Sequence, residues 1–121
     1  QVQAIAQQFG LLGQIYQQFV DISERDDPRR KQDLVTARRV LQEGLQQLEI
    51  IVKEALEDMP NAELMRDFST RLTQLRSSLA YHQGSWPAVL IDEDKEGYRA
   101  SLDEVQQVFA DFLMWGKKSF Q

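Results

Sequence analysis

The chain has 121 residues, enough for one domain with a continuous hydrophobic core but too few for two such domains. Its net charge of −5 argues against broad binding to nucleic acid, which requires a basic face to displace phosphate counterions. Because cysteine is absent, neither a disulfide framework nor a thiolate metal site is possible, and cytoplasm and periplasm both stay open as compartments.

The first half of the sequence predicts two long helices. Apolar residues recur at alternating spacings of three and four, which is typical of a helix that packs along one side, and they do so over about residues 1–24. A second pattern of this kind runs over about residues 28–58. Asp27 is its expected N-cap, and Pro28 is expected at the first helical position, where its missing N–H costs little.

The second half predicts two more helices. Pro60 ends the second helix, and Asn61 is the expected cap of a third helix over about residues 61–83. An acidic cluster suits the N-terminus of a fourth helix over about residues 93–120. Four amphipathic helices with mostly short connections predict an all-α fold, an antiparallel up-down-up-down four-helix bundle that forms one domain over residues 1–121.

One face of the first helix is a candidate dimer interface. Ala6, Gly10 and Gly13 form a ridge of small residues that is flanked by uncharged glutamines, Gln17 among them, and the first twenty residues carry no charge. Depletion of charge is typical of a buried interface, so this face predicts a homodimer. The alternative is a glutamine-rich face in contact with solvent, in which each glycine is tolerated at a cost of about 1 kcal/mol relative to alanine.

The ends of the sequence carry a further expectation. No capping residue precedes the first helix and no glycine or proline stop follows the last, so both helices are expected to continue beyond this stretch. Such an arrangement is typical of a domain inserted between two transmembrane helices. In the number and length of its helices and in these ends, the chain resembles the four-helix-bundle extracytoplasmic sensor domains of bacterial sensor histidine kinases and chemoreceptor-like transmembrane signalling proteins.

The resemblance implies a function. It implies a dimeric input domain, periplasmic or otherwise extracytoplasmic, that senses a small molecule or a partner protein and passes a helix displacement to a kinase, chemoreceptor or cyclase output. The membrane would be contacted only through segments that flank this stretch. A cytoplasmic helical spacer between signalling domains is a variant of this hypothesis, and no ligand-binding residue is carried over from the family.

Four residues are candidates for ligand binding. Arg29 and Arg30 lie in the turn between the first two helices, and a guanidinium pairs with a carboxylate or phosphate in a fork. His82, the sole imidazole, and Trp86 lie where the third helix ends. The alternatives are solvated charge for the arginines and a buried core position for the histidine. The apolar loop 84–92 either covers the end of the core or presents a binding surface.

The sequence contains few residues or motifs that could support catalysis. There is no cysteine, only one histidine, no Gly-x-Ser-x-Gly elbow and no phosphate-cradling loop, which predicts a non-enzymatic protein without cofactor or metal. The second functional hypothesis is accordingly a soluble helical adaptor or chaperone-like interaction module. It would present the segment from Trp86 to Ile91 to a partner helix.

Overall fold

The computed structural model describes residues 2–120, and these residues contain helices and turns but no strand. The prediction of an all-α fold is therefore confirmed. A single 3-10 helix, Ala88–Leu90, follows the third of the four α-helices. The α-helices in chain order are α1 (Val2–Glu24), α2 (Arg30–Asp58), α3 (Ala62–Ser85) and α4 (Lys95–Ser119).

The start of α2 differs from its prediction. The helix begins at Arg30 with Arg29 at the N-cap position, so the predictions of Asp27 as N-cap and of Pro28 as the first helical residue are wrong. Asp27 still closes that turn, because its Oδ1 accepts a hydrogen bond from the amide of Arg29 (2.9 Å) and its carbonyl accepts one from the amide of Arg30 (3.1 Å). The fixed φ of proline favours the second position of such a turn.

α1 and α2 end at the predicted residues, whereas the ends of α3 and α4 differ from prediction by one or two residues. α3 begins at Ala62 and continues to Ser85, beyond the predicted end at residue 83. α4 begins at Lys95 rather than at residue 93, and the amide of Gly97 bonds Oδ1 of Asp94 at 3.0 Å. The acidic residues before α4 therefore stand at its N-terminus, as predicted, and one of them caps it.

The described residues group into two compact units, and the first consists of α1, α2 and the end of α4 from Gly116. α1 and α2 pack against each other and are joined by residues 25–29. The apolar residues that the helical spacing predicts on the packed side of α1 and α2, which we call the seams, are buried except at Val2, which is 36% exposed. Phe120 is also buried and stacks on Phe9 with ring centroids 5.8 Å apart. The buried seam residues of α1 and α2 are Ile5, Phe9, Leu12, Tyr16, Phe19, Leu34, Ala37, Leu41, Leu45, Leu48, Val52 and Ala55.

The second unit is Ala62–Trp115, which holds α3, the 3-10 helix and most of α4. Phe68 is fully buried in it, with its ring centroid 6.3 Å from those of Phe112 and Trp115. Arg71 lies over the Trp115 ring, 5.2 Å from its centroid. The predicted seams of this unit are buried except at Met65, which is half-buried. Their buried members are Phe68, Leu72, Leu75, Leu79, His82, Tyr98, Leu102, Val105, Phe109 and Phe112.

Candidate functional site

The four predicted ligand-binding residues fall into two groups, one in each unit. Arg29 and Arg30 belong to what we call the turn cluster, which is defined as Arg25, Asp27, Arg29, Arg30 and Asp33. His82 and Trp86 belong to what we call the histidine cluster, which is defined as His82, Trp86, Tyr98 and Ser101.

Arg25 organises the turn cluster. Its Nε and Nη2 donate to the two carboxylate oxygens of Asp27 at 2.7 and 2.9 Å, and Nη2 also donates to Oδ2 of Asp33 at 2.8 Å. Hydrogen bonding by Arg25 lowers the pKa of Asp27 from 3.8 to about 2. Because the pKa of Asp27 is lower in the folded chain, the pair stabilises the fold at pH values above about 3.8. This stabilisation is lost as the pH falls through about 2.

Arg30 has a structural role that the sequence did not predict. Its Nε and Nη2 donate to the carbonyl of Ser23 at 3.1 and 2.6 Å. Ser23 lies in the last turn of α1, where carbonyl groups have no partner within the helix, so Arg30 caps α1 from the start of α2. Arg29, in contrast, is 75% exposed, and its nearest carboxylate oxygen, on Asp33, is 3.8 Å away. Arg29 is thus the more accessible of the two predicted anion contacts.

Replacing Arg30 tests this capping role. We expect Arg30→Ala to lower the free energy of unfolding by about 1–2 kcal/mol, because a charge-assisted bond to a helix-terminal carbonyl is lost. Arg29→Ala, the neighbouring control, should change it by no more than about 0.5 kcal/mol, since exposed ion pairs contribute little. Urea denaturation followed by circular dichroism measures both. Equal losses in the two variants would contradict the capping role.

A shallow apolar groove lies between α1 and α2 in the first unit, with a volume of about 200 Å³. Most of its wall is aliphatic, and Asp33 of the turn cluster is the one charged residue in its lining. Small-molecule sites usually enclose about 300–1,000 Å³, so the groove suits at most a small ligand. The lining residues are Ile15, Gln18, Ile22, Asp33, Thr36, Ala37 and Val40.

The histidine cluster joins the end of α3 to α4; His82 and Tyr98 are buried in it, and Trp86 and Ser101 are half-buried. His82 is 1% exposed, which agrees with the alternative prediction of a core histidine, and its Nδ1 lies 2.7 Å from Oγ of Ser101 in a hydrogen bond. The His82 and Tyr98 ring centroids are 5.6 Å apart, and Trp86 meets Tyr98 edge-on at 5.9 Å. A Cβ on Gly97 would lie 2.9 Å from two atoms of the Trp86 ring, so this glycine makes room for the indole.

The loop 84–92 divides its apolar residues between core and surface. Ala88 and Ile91 are 8% and 0% exposed, as a segment that covers a core requires. Val89 and Leu90 are 68% and 44% exposed. Ala88 and Ile91 therefore cover the core, whereas Val89 and Leu90 are the two of these four residues that a partner could contact.

The predicted dimer face of α1 is largely accessible. Ala6, Gly10 and Gln17 are exposed, Gly13 is half-buried, and no atom lies within 4 Å of the place where a Cβ of Gly10 would stand. Gln17 bonds the carboxylate of Asp21 at 2.9 Å. Both interpretations of this face require such exposure, so the dimer interface stays a prediction.

Two residues that make key contacts in these clusters could not be identified from the sequence. Asp33 and Ser101 sit at ordinary helical positions, and no motif marks them as partners of Arg25 and His82. Over residues 2–120, no group of three acidic, histidine or cysteine side chains is placed to hold a metal ion. Within the same range, no helix has both the length and the hydropathy to cross a membrane.

The chain was compared with known proteins. It matches no protein-family model, and neither a curated protein nor a solved structure is significantly similar to it.

Proposed function

We propose that this chain is the input domain of a bacterial transmembrane signalling protein, such as a sensor kinase, chemoreceptor or cyclase. In this proposal it is an extracytoplasmic, non-enzymatic homodimer that binds a small molecule or a protein without a cofactor. Its helices pack as an antiparallel up-down-up-down bundle, which is supported by the short connection over residues 25–29 and the packing of α1 on α2.

The observation that carries the proposal is the exposed face of α1. Its exposed residues from Val2 to Gln18 are glutamines, alanines, a glycine, Val2 and Leu11, and none is charged. The exposed face of α4, by comparison, presents Lys95, Glu96 and Arg99 within its first two turns. A long helical face without charge and with little side-chain bulk supports association with a second helix.

Signalling follows from a population shift in such a dimer. A ligand that binds one arrangement of the helices more tightly than another increases the population of that arrangement by its difference in affinity. A displacement of α4 relative to α1 would then reach the segments that flank this stretch and bias an attached output domain.

A leucine on the α1 face tests the dimer. We expect Gly10→Leu to raise the dissociation constant of the dimer roughly tenfold or more, because the larger side chain keeps the second helix away. Gly84→Leu is the matched control, since Gly84 is also exposed and nothing outside its own helix backbone and neighbouring residues lies within 4 Å of the place where its Cβ would stand. Sedimentation velocity over a concentration series measures both variants. A monomeric parent chain, or equal behaviour of the two variants, would overturn the dimer.

The hydropathy of about thirty residues on each side of this stretch in the parent gene tests the membrane setting. Two apolar runs of about twenty residues, with a signalling domain after the second, support the transmembrane sensor. Their absence overturns it and favours the second candidate, a soluble helical adaptor. The exposure of Val89 and Leu90 is the observation that favours this second candidate.

A further inference from the structure

The segment between α3 and α4 is a short 3-10 helix followed by a turn, and each is closed by a backbone hydrogen bond between residues three apart. The 3-10 helix Ala88–Leu90 continues into a turn in which the amide of Glu93 donates to the carbonyl of Leu90 at 3.0 Å. In a 3-10 backbone, side chains three residues apart lie in one row. Ala88 and Ile91 are such a pair, and both are buried. This row anchors the segment on the second unit.

The other two rows face solvent. Val89 and Asp92 form one of them, Leu90 and Glu93 the other, and all four residues are exposed. Each exposed row thus pairs one aliphatic side chain with one carboxylate. We call Val89, Leu90, Asp92, Glu93 and Glu96 the 89–96 surface.

The charge of the segment that carries this surface is predominantly negative. Residues 92–96 hold four carboxylates and one lysine, a net charge of −3 within a chain whose total is −5. No lysine or arginine occurs between Arg76 and Lys95. A negative field of this kind attracts cationic partners and repels phosphate-bearing ones. Val89 and Leu90 are exposed beside these carboxylates, so a partner that covers the surface must also carry apolar side chains.

We propose that the 89–96 surface binds a cationic amphipathic peptide segment. Leucine-like side chains of the segment pack on Val89 and Leu90, while its lysine or arginine side chains pair with Asp92, Glu93 and Glu96. This proposal names the class of ligand for the sensing function proposed above. Its consequence for signalling rests on that function, whereas the binding itself does not.

The surface is held in place before a partner arrives. Trp86 lies against Gly97 and edge-on to Tyr98, and Asp94 accepts the amide of Gly97 at 3.0 Å. With Ile91 fully buried as well, both ends of the segment are fixed. Binding to a preorganised surface costs less ordering of the chain than binding to a mobile loop.

Isothermal titration of the whole chain with a synthetic probe tests the proposal. The probe is two repeats of the heptad Leu-Lys-Lys-Leu-Leu-Lys-Leu. One control peptide replaces each leucine by serine, and a second replaces each lysine by glutamate. We expect the probe to bind, its affinity to fall as salt is added, and both controls to bind at least about tenfold more weakly.

Variants of the chain locate the binding. Val89→Ser with Leu90→Ser should raise the dissociation constant of the probe about tenfold, and Glu93→Gln with Glu96→Gln should raise it roughly fivefold and reduce its salt dependence. Val35→Ser with Glu57→Gln is the matched control, since Val35 is 58% exposed and Glu57 is exposed, and it should change the constant less than about twofold. Circular dichroism checks that all three keep their helix content.

The outcomes separate the two proposals. No binding of the probe, equal binding of the serine peptide, or equal effects of all three double variants would overturn the peptide surface. None of these results bears on the proposed dimer, because dimerisation is measured without peptide and through a variant of the α1 face. Conversely, a monomeric chain without flanking membrane segments that still binds the probe through Val89 and Glu93 would overturn the sensor and leave the peptide surface in place.

Discussion

Phe68→Ala is expected to lower the free energy of unfolding by about 3–5 kcal/mol, the usual range for removing a buried aromatic side chain. Phe68 is 0% exposed, and its ring centroid is 6.3 Å from those of Phe112 and Trp115, so truncation leaves a cavity beside these two rings. Domains of this size are stable by about 5–15 kcal/mol, so the variant loses a large share of the total.

Urea denaturation followed by circular dichroism measures this loss, and two substitutions on α3 serve as controls. Phe68→Leu keeps part of the volume and should cost less than Phe68→Ala. Tyr81→Ala removes an aromatic side chain that is 75% exposed, and should change stability by about 0.5 kcal/mol or less. A Phe68→Ala variant as stable as Tyr81→Ala would contradict the placement of Phe68 in the core of the second unit.

Gly116→Ala is expected to lower the free energy of unfolding by about 1–3 kcal/mol, although alanine is the better helix former. A Cβ at Gly116 would overlap three atoms of the Phe9 ring, of which Cδ1 is 2.6 Å away. Phe9 is 5% exposed and stacks on Phe120, so its ring has little room to move aside. The steric cost therefore exceeds the gain in helix propensity.

Gly84→Ala is the matched control, because nothing outside its own helix backbone and neighbouring residues lies within 4 Å of its Cβ position and it lies on α3, away from the proposed dimer face. There the propensity term acts alone, and we expect a gain of about 0.5–1 kcal/mol. Thermal and urea denaturation of the two variants should thus give changes of opposite sign. If both alanine variants proved more stable than the parent chain, the close approach of Gly116 to Phe9 would be wrong.

Much of the fold could be predicted because helical periodicity is a local property of the sequence. The spacing of apolar residues in α2, from Leu34 to Ala55, places every member of its seam on one side of a helix, and all are buried. The exceptions at Val2 and Met65 have a local reason too, since both residues lie in the first turn of their helices. Helix ends were less accurate, because capping depends on which side-chain oxygen a turn brings to an amide, as with Asp27.

The candidate site could be predicted only in part. Composition singled out the turn arginines, the lone histidine and the apolar loop, since these are unusual residues at helix ends. Their roles depend on partners distant in sequence, and such partners leave no local pattern. Arg30 was predicted as a ligand contact and is bonded to the carbonyl of Ser23, while His82 shares a hydrogen bond with Ser101 on another helix.

By itself, then, the sequence determined the helical class, the approximate helix ends and which side of each helix is buried, because these depend on residues within a few turns of one another. The tertiary structure alone decided which loop residues are anchored and which are exposed, that Gly116 is needed beside Phe9, and that Arg25 joins Asp27 to Asp33. These features depend on distances between separate elements, and such distances are set by packing rather than by local periodicity.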